Sequence, residues 1–183
     1  MLIRTAPLLL AALLLGAAAP AQKAPQKAAP KAAAPAKAQA EDAYDPTNPQ
    51  SLLGLLTAAG ANVSSNRREA DSVFAAVTST AANFSVQFAG CNASGRACQA
   101  MLFDGLLGGG APTLAQINGF NQTSVVCRIY QDKAGKPHVT YATLIMKSDT
   151  RDSGRTHLAA WQGCLTEAAG FVRDPTGYLA VAP

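Results

Sequence analysis

The stretch Ser124–Met146, SVVCRIYQ-DKAGKP-HVTYATLIM, decides the fold class. Two runs rich in β-branched and aromatic residues flank six polar or turn-forming ones. Asp132 and Gly135 are placed for a tight reversal, so the segment predicts two antiparallel strands, the second starting at His138 after Pro137. Upstream, NFSVQF (Asn83–Phe88) alternates Phe84, Val86 and Phe88 with Ser85 and Gln87, the period of a half-buried strand. SVFAAVTST (Ser72–Thr80) and CQAMLF (Cys98–Phe103) add two more strands, with a looser extended piece near Val63.

Helical signals surround this core. NPQSLLGLLTAAG puts Asn48 at an N-cap, Pro49 in the first turn and Gly60 at the stop, with leucines 52, 53, 55 and 56 on one side. DGLLGGGAP is a glycine-rich connection, and TLAQINGFN starts a short helix near Thr113. Leu158, Trp161, Leu165, Ala168 and Val172 recur at three and four, predicting a final helix from about Ser153 to Val172 with Cys164 on its apolar side. The order α-β-β-β-α-β-β-α gives an α+β domain over residues 45–183. Its sheet is mostly antiparallel, of about five strands, with N-terminal, middle and C-terminal helices on one face.

Residues 1–21 have one early charge, Arg4, an apolar run from Ala6 to Ala19, and the small-residue pattern Ala19-Pro20-Ala21. This is the layout of a secretory signal peptide cut after Ala21. The run is shorter than the roughly 20 residues that span a bilayer, and no later stretch is apolar enough, so the mature chain is expected to have no transmembrane segment. Residues 22–44 are Lys, Ala, Pro and Gln with almost no large apolar side chain, which predicts a disordered linker. Most of the excess charge sits there. The chain carries 15 basic and 11 acidic residues; without Arg4, Lys23, Lys27, Lys31, Lys37, Glu41 and Asp42, 10 basic and 9 acidic remain. The basic residues of the domain are scattered and not interleaved with aromatics, which argues against nucleic acid as a partner.

Four cysteines at 91, 98, 127 and 164 lack both the CxxC pairs and the neighbouring histidines of a zinc or thioredoxin-type centre. In an oxidising compartment, periplasmic or secreted, they read as bridges. Cys91 and Cys98 flank a hairpin loop. Cys127 on a strand and Cys164 on the last helix form a second bridge if helix packs on strand, with two buried free thiols as the alternative.

Catalytic patterns are sparse. No GxSxG or HExxH occurs, Gly108-Gly109-Gly110 lacks the Lys-Ser/Thr of a phosphate loop, and carboxylates are few. Asp152, Ser153 and His157 lie along one helix start, where neighbours cannot reach triad geometry; Ser153 reads as an N-cap and His138 as a turn cap. Four sequons, at Asn62, Asn83, Asn92 and Asn121, fit the acceptor rule, which is too short to be specific.

Residues 45 to about 174 resemble the YbjN-domain family of bacterial sensory-transduction regulators. The resemblance rests on the helix LLGLLTAAG, on NFSVQFAGC leading to Cys98, and on Ile117-Asn118-Gly119-Phe120-Asn121 running into VVCRIYQD and the Asp132–Gly135 turn, then a last helix with Trp161. Phe120 stands where a tryptophan is common, and KSDTRDSGR replaces the usual apolar-Gly-apolar approach to the last helix. The resemblance implies a fold like that of type III secretion chaperones, no active site and no cofactor. It implies binding of a protein or peptide, here in envelope signalling. A second copy of the chain is a further candidate partner. Asn118 and Asn121 are expected to cap and close the short helix against the next strand. A small-ligand sensor with an apolar pocket between sheet and helices is the alternative, and a divergent secreted hydrolase using His138 or His157 the remote one.

Overall fold

Asn48 accepts the backbone N–H of Gln50 and starts α1 (Pro49–Ala58), whose Leu52, Leu53 and Leu56 turn inward. The computed structural model describes residues 44–182; the expected signal peptide and nearly all of the expected linker fall outside the described residues. After α1 come β1 (Asn62–Glu69), β2 (Ser72–Thr78), β3 (Asn83–Ala89) and β4 (Ala100–Leu106). Next are α2 (Leu114–Thr123), β5 (Arg128–Gln131), β6 (Pro137–Leu144), α3 (Arg151–Arg173) and α4 (Pro175–Val181). The strands form one antiparallel sheet in the order β1-β2-β3-β4-β6-β5. The domain is α+β.

The inner face of the sheet carries Val77, Val86, Phe88, Phe103, Val139 and Ile129, all close to fully buried under the helices. Trp161 of α3 lies at the centre. It stacks on Phe103 with ring centroids 5.5 Å apart and meets Phe84 edge-on at 5.3 Å. Gly105 makes that fit possible, because a β-carbon there would stand 3.3 Å from the Trp161 ring. A second aromatic group, Phe120, Phe171 and Tyr178, joins α2, α3 and α4. Glu167 reinforces it by accepting from Tyr178 Oη at 2.8 Å and from Ser124 Oγ at 3.2 Å. Gly110 lets the glycine-rich connection touch the end of α3; a β-carbon would collide with the Val172 carbonyl. The connection is anchored at that point, while Gly108 and Gly109 are exposed.

Both cysteine pairs are bridged, Cys91 to Cys98 and Cys127 to Cys164. By chain-entropy arithmetic the first loop contributes about 2.5 kcal/mol and the second about 3.9 kcal/mol. No helix of the described residues is long and apolar enough to cross a membrane.

Several sequence expectations need correction. The sheet has six strands, because the extended piece near Val63 is a full strand. β1 reads NVSSNRRE and lacks the apolar alternation that marks a half-buried strand; an edge strand does not need it. Cys127 precedes β5 instead of lying on it, since only Arg128–Gln131 of the eight-residue run pair with β6. The N-cap of α3 is Thr150, and Ser153 is its reciprocal partner three residues on. α4 had been missed, although Asp174 followed by Pro175 is a start signal: Asp174 Oδ1 accepts the Gly177 N–H at 2.9 Å.

Candidate functional site

A sheet that is not closed has two edges, and each exposed N–H and C=O there is a place for another strand. The β1 edge is guarded. Its register slips between Ser64 and Asn66, and it carries Arg67, Arg68 and Glu69, with Arg67 paired to Glu69 at 2.8 Å and lying over the Phe74 ring.

The β5 edge is closed by side chains. Ile129 faces Val139 across the pair, so its backbone groups turn away from β6. Asn121, from the last turn of α2, takes both: Ile129 N–H donates to Asn121 Oδ1 at 2.8 Å, and Asn121 Nδ2 donates to Ile129 O at 2.9 Å. The amide acts as a one-residue strand. Gln131 Nε2 adds a bond to Pro112 O at 2.9 Å. The open part is the second half of β6.

β6 pairs with β4 as far as Leu144, but with β5 only as far as Thr140. The Pro137 carbonyl accepts from Leu107 N–H, and Ile145 N–H donates to Gln99 O, so both point to the β4 side. Strand alternation then directs the N–H and C=O of Ala142 and Leu144 outward. Among the described residues, the Ala142 groups and the Leu144 N–H have no hydrogen-bond partner, and the Leu144 carbonyl accepts only from Thr143 Oγ1 at 3.3 Å. Beside this half-edge stand Val125 and Val126, 87% and 50% exposed, and with Arg128 and Thr140–Thr143 they enclose a cavity of about 400 Å3.

The outer face of the sheet continues from there, uncovered by helix. Across the strands, Phe74, Gln87, Leu102 and Ala142 form one row, and Ala89, Ala100 and Leu144 another. Leu144 is 68% exposed. This end is flat and apolar, and it shares Ala142 and Thr143 with the half-edge cavity.

The other end of the face is polar. Tyr130 Oη donates to Asp104 Oδ2 at 2.8 Å, His138 Nδ1 lies 2.9 Å from Asp104 Oδ1, and the Tyr130 and His138 rings stack at 5.0 Å. Burial, then the hydrogen bond to Asp104 and its charge, pushes the Tyr130 hydroxyl up to about 12. With both Asp104 oxygens engaged, the group ties β4, β5 and β6 together. His138 was expected to cap the turn. Its Nε2 instead approaches Asp132 at 3.7 Å, while Asp132 caps the turn itself by accepting from Ala134 N–H and Lys136 N–H. These bonds, the Lys136 one first, hold the Asp132 carboxyl below its ordinary value.

The remaining residues singled out in the sequence do not converge on one place. Ile117, Phe120 and Trp161 are core. Asn118 is exposed on α2, whereas Asn121 clamps β5. Asp152 pairs with Arg155, Ser153 bonds back to the cap residue Thr150, and His157 Nδ1 meets Tyr141 Oη at 2.8 Å, so these three are not assembled into a triad. No group of three or more His, Cys, Asp or Glu among the described residues is arranged to hold a metal ion. The sequence reading missed Val125 and Val126 as surface residues, because it absorbed both into a strand.

A disulfide-linked α+β domain with one unguarded half-edge is the class that fold and site define. No family model, curated protein or solved structure matches this chain.

Proposed function

We propose that the protein is a non-enzymatic regulatory binding module of the YbjN-domain type, exported to the periplasm or secreted, that takes an extended segment of a partner protein in envelope signalling. The outward N–H and C=O groups of Ala142 and Leu144, flanked by Val125 and Val126, carry this reading. An incoming strand gains main-chain hydrogen bonds at the edge and places alternate side chains in adjoining pockets. Here one set of side chains meets Val125 and Val126, and the other meets the Leu102–Leu144 end of the outer face. Up to four main-chain bonds at about 0.5–1.5 kcal/mol each give modest affinity, which suits a regulatory contact. The two disulfides fit an oxidising compartment.

The test is Ala142→Pro. Proline removes the outward N–H and leaves the β4 ladder untouched, a change that an edge strand tolerates. Purified protein is used to select displayed random heptapeptides. The reading expects enrichment of proline-free sequences with apolar residues at alternate positions. These should lose binding to Ala142→Pro while its melting temperature stays within a few degrees of wild type. No enrichment, or equal binding by the variant, overturns it; perturbed Ala142 and Leu144 amide signals on peptide addition give a check that needs no variant.

A further inference from the structure

A separate cavity of about 480 Å3 opens between the end of α1, the turn joining β2 to β3, and the first half of α3. Its volume falls within the roughly 300–1,000 Å3 typical of small-molecule sites. The walls are apolar, from Leu55, Phe84, Leu158, Trp161 and Leu165. Two positive groups, Arg151 and Arg155, stand on α3 at the same cavity, and no carboxylate lines it. Both arginines lie near the α3 N-terminus, where the helix dipole adds to their positive potential. Arg155 donates one N–H to Asp152 at 2.8 Å, but that pair is exposed and solvent-screened, and a guanidinium has five donors.

Trp161 is almost wholly buried, yet its indole N–H finds no hydrogen-bond partner among the described residues. Buried polar groups are seldom left so. An apolar chamber whose lining carries arginines and no carboxylate disfavours cations and fully polar anions.

We propose that this cavity binds a free single-chain amphiphile with one negative charge, of the fatty-acid carboxylate type, its tail along Leu55, Phe84 and Leu165 and its head at Arg155. The site shares no residue with the β6 half-edge, so the two proposals stand or fall separately.

Trp161 is the only tryptophan of the chain and lines the cavity, so its fluorescence reports occupancy. Dodecanoate is titrated below its micelle-forming range, alongside dodecyltrimethylammonium at equal concentration and phosphatidylglycerol vesicles. The expected result is a saturable one-site change with dodecanoate, none with the ammonium, and an affinity weakened at least about tenfold in Arg155→Glu, the scale of one charge-assisted contact. Ala159→Phe, at an exposed lining position, fills the chamber and should abolish the response with little change in melting temperature. Ala142→Pro should bind dodecanoate as wild type does. The proposal is overturned by the lack of a saturable response, by equal affinity for the ammonium, by an unchanged Arg155→Glu, or by a response to vesicles alone.

Discussion

Asn121→Ala removes the side chain that stands in for a seventh strand. Both backbone groups of Ile129 then lose their partners, and Ile129 is 2% exposed. An unsatisfied buried group costs about 1–3 kcal/mol. Asn121 itself is only half-buried, so water reaches part of the vacated space and the pair should cost about 2–4 kcal/mol. A domain of this size loses roughly 3–5 °C of melting temperature per kcal/mol, which places the variant about 10 °C below wild type. Asn118→Ala is the control. It sits one turn earlier on the same short helix, is exposed and makes no side-chain hydrogen bond among the described residues, so its effect should stay within about 0.5 kcal/mol. Thermal unfolding followed by circular dichroism compares the two, and hydrogen exchange at the Ile129 amide localises the change. If Asn121→Ala melts no lower than Asn118→Ala, or Ile129 keeps its protection, the edge-clamp argument is wrong.

The two bridges should rank by loop size: the Cys127→Ser/Cys164→Ser double variant is expected to lose about 3.9 kcal/mol and Cys91→Ser/Cys98→Ser about 2.5 kcal/mol. Denaturant midpoints in the reverse order would discredit that ranking. Alkaline pH offers a different handle, since burial and bonding to Asp104 and Glu167 hold the Tyr130 and Tyr178 hydroxyls up at about 12, against an ordinary value of 10.0. Between pH 10 and 12 the unfolded chain releases protons that the folded one keeps, so stability is full below pH 10 and declines across that interval. Equilibrium unfolding from pH 9 to 12 should follow this fall, and it should flatten when both tyrosines are replaced by phenylalanine.

Elements with a strong local signal were legible from the sequence. Asn48-Pro49 and Thr113 mark helix starts by side-chain chemistry that acts within four residues; they cap α1 and α2, and the structure adds Gln116 as the reciprocal partner of Thr113. The Phe84-Val86-Phe88 alternation fixed which side of β3 faces the helices. What escaped depends on contacts distant in sequence. β1 is a strand because β2 pairs with it, not because NVSSNRRE reads as one. His138 turns to Asp104, 34 residues away, instead of to the adjacent turn. The half-edge was illegible for the same reason, because an unpaired backbone group leaves no mark on composition.

The misread length of β5 and the open edge of β6 have one cause. SVVCRIYQ reads as an eight-residue strand because it has the side chains of one. Continued in register from Arg128↔Thr140, it would set Cys127 against Tyr141, Val126 against Ala142 and Ser124 against Leu144, sealing the edge. Two fixed points prevent this. Cys127 is bonded to Cys164 of α3, which draws the chain down through the core face. Ser124 is held as the C-cap of α2, its hydroxyl on Glu167 and accepting the Cys127 N–H. Between those anchors Val125 and Val126 are lifted off the sheet and exposed. The bridge that contributes most to stability thus also keeps β6 unpaired, and an incoming partner strand would occupy the register that residues 124–127 are held away from.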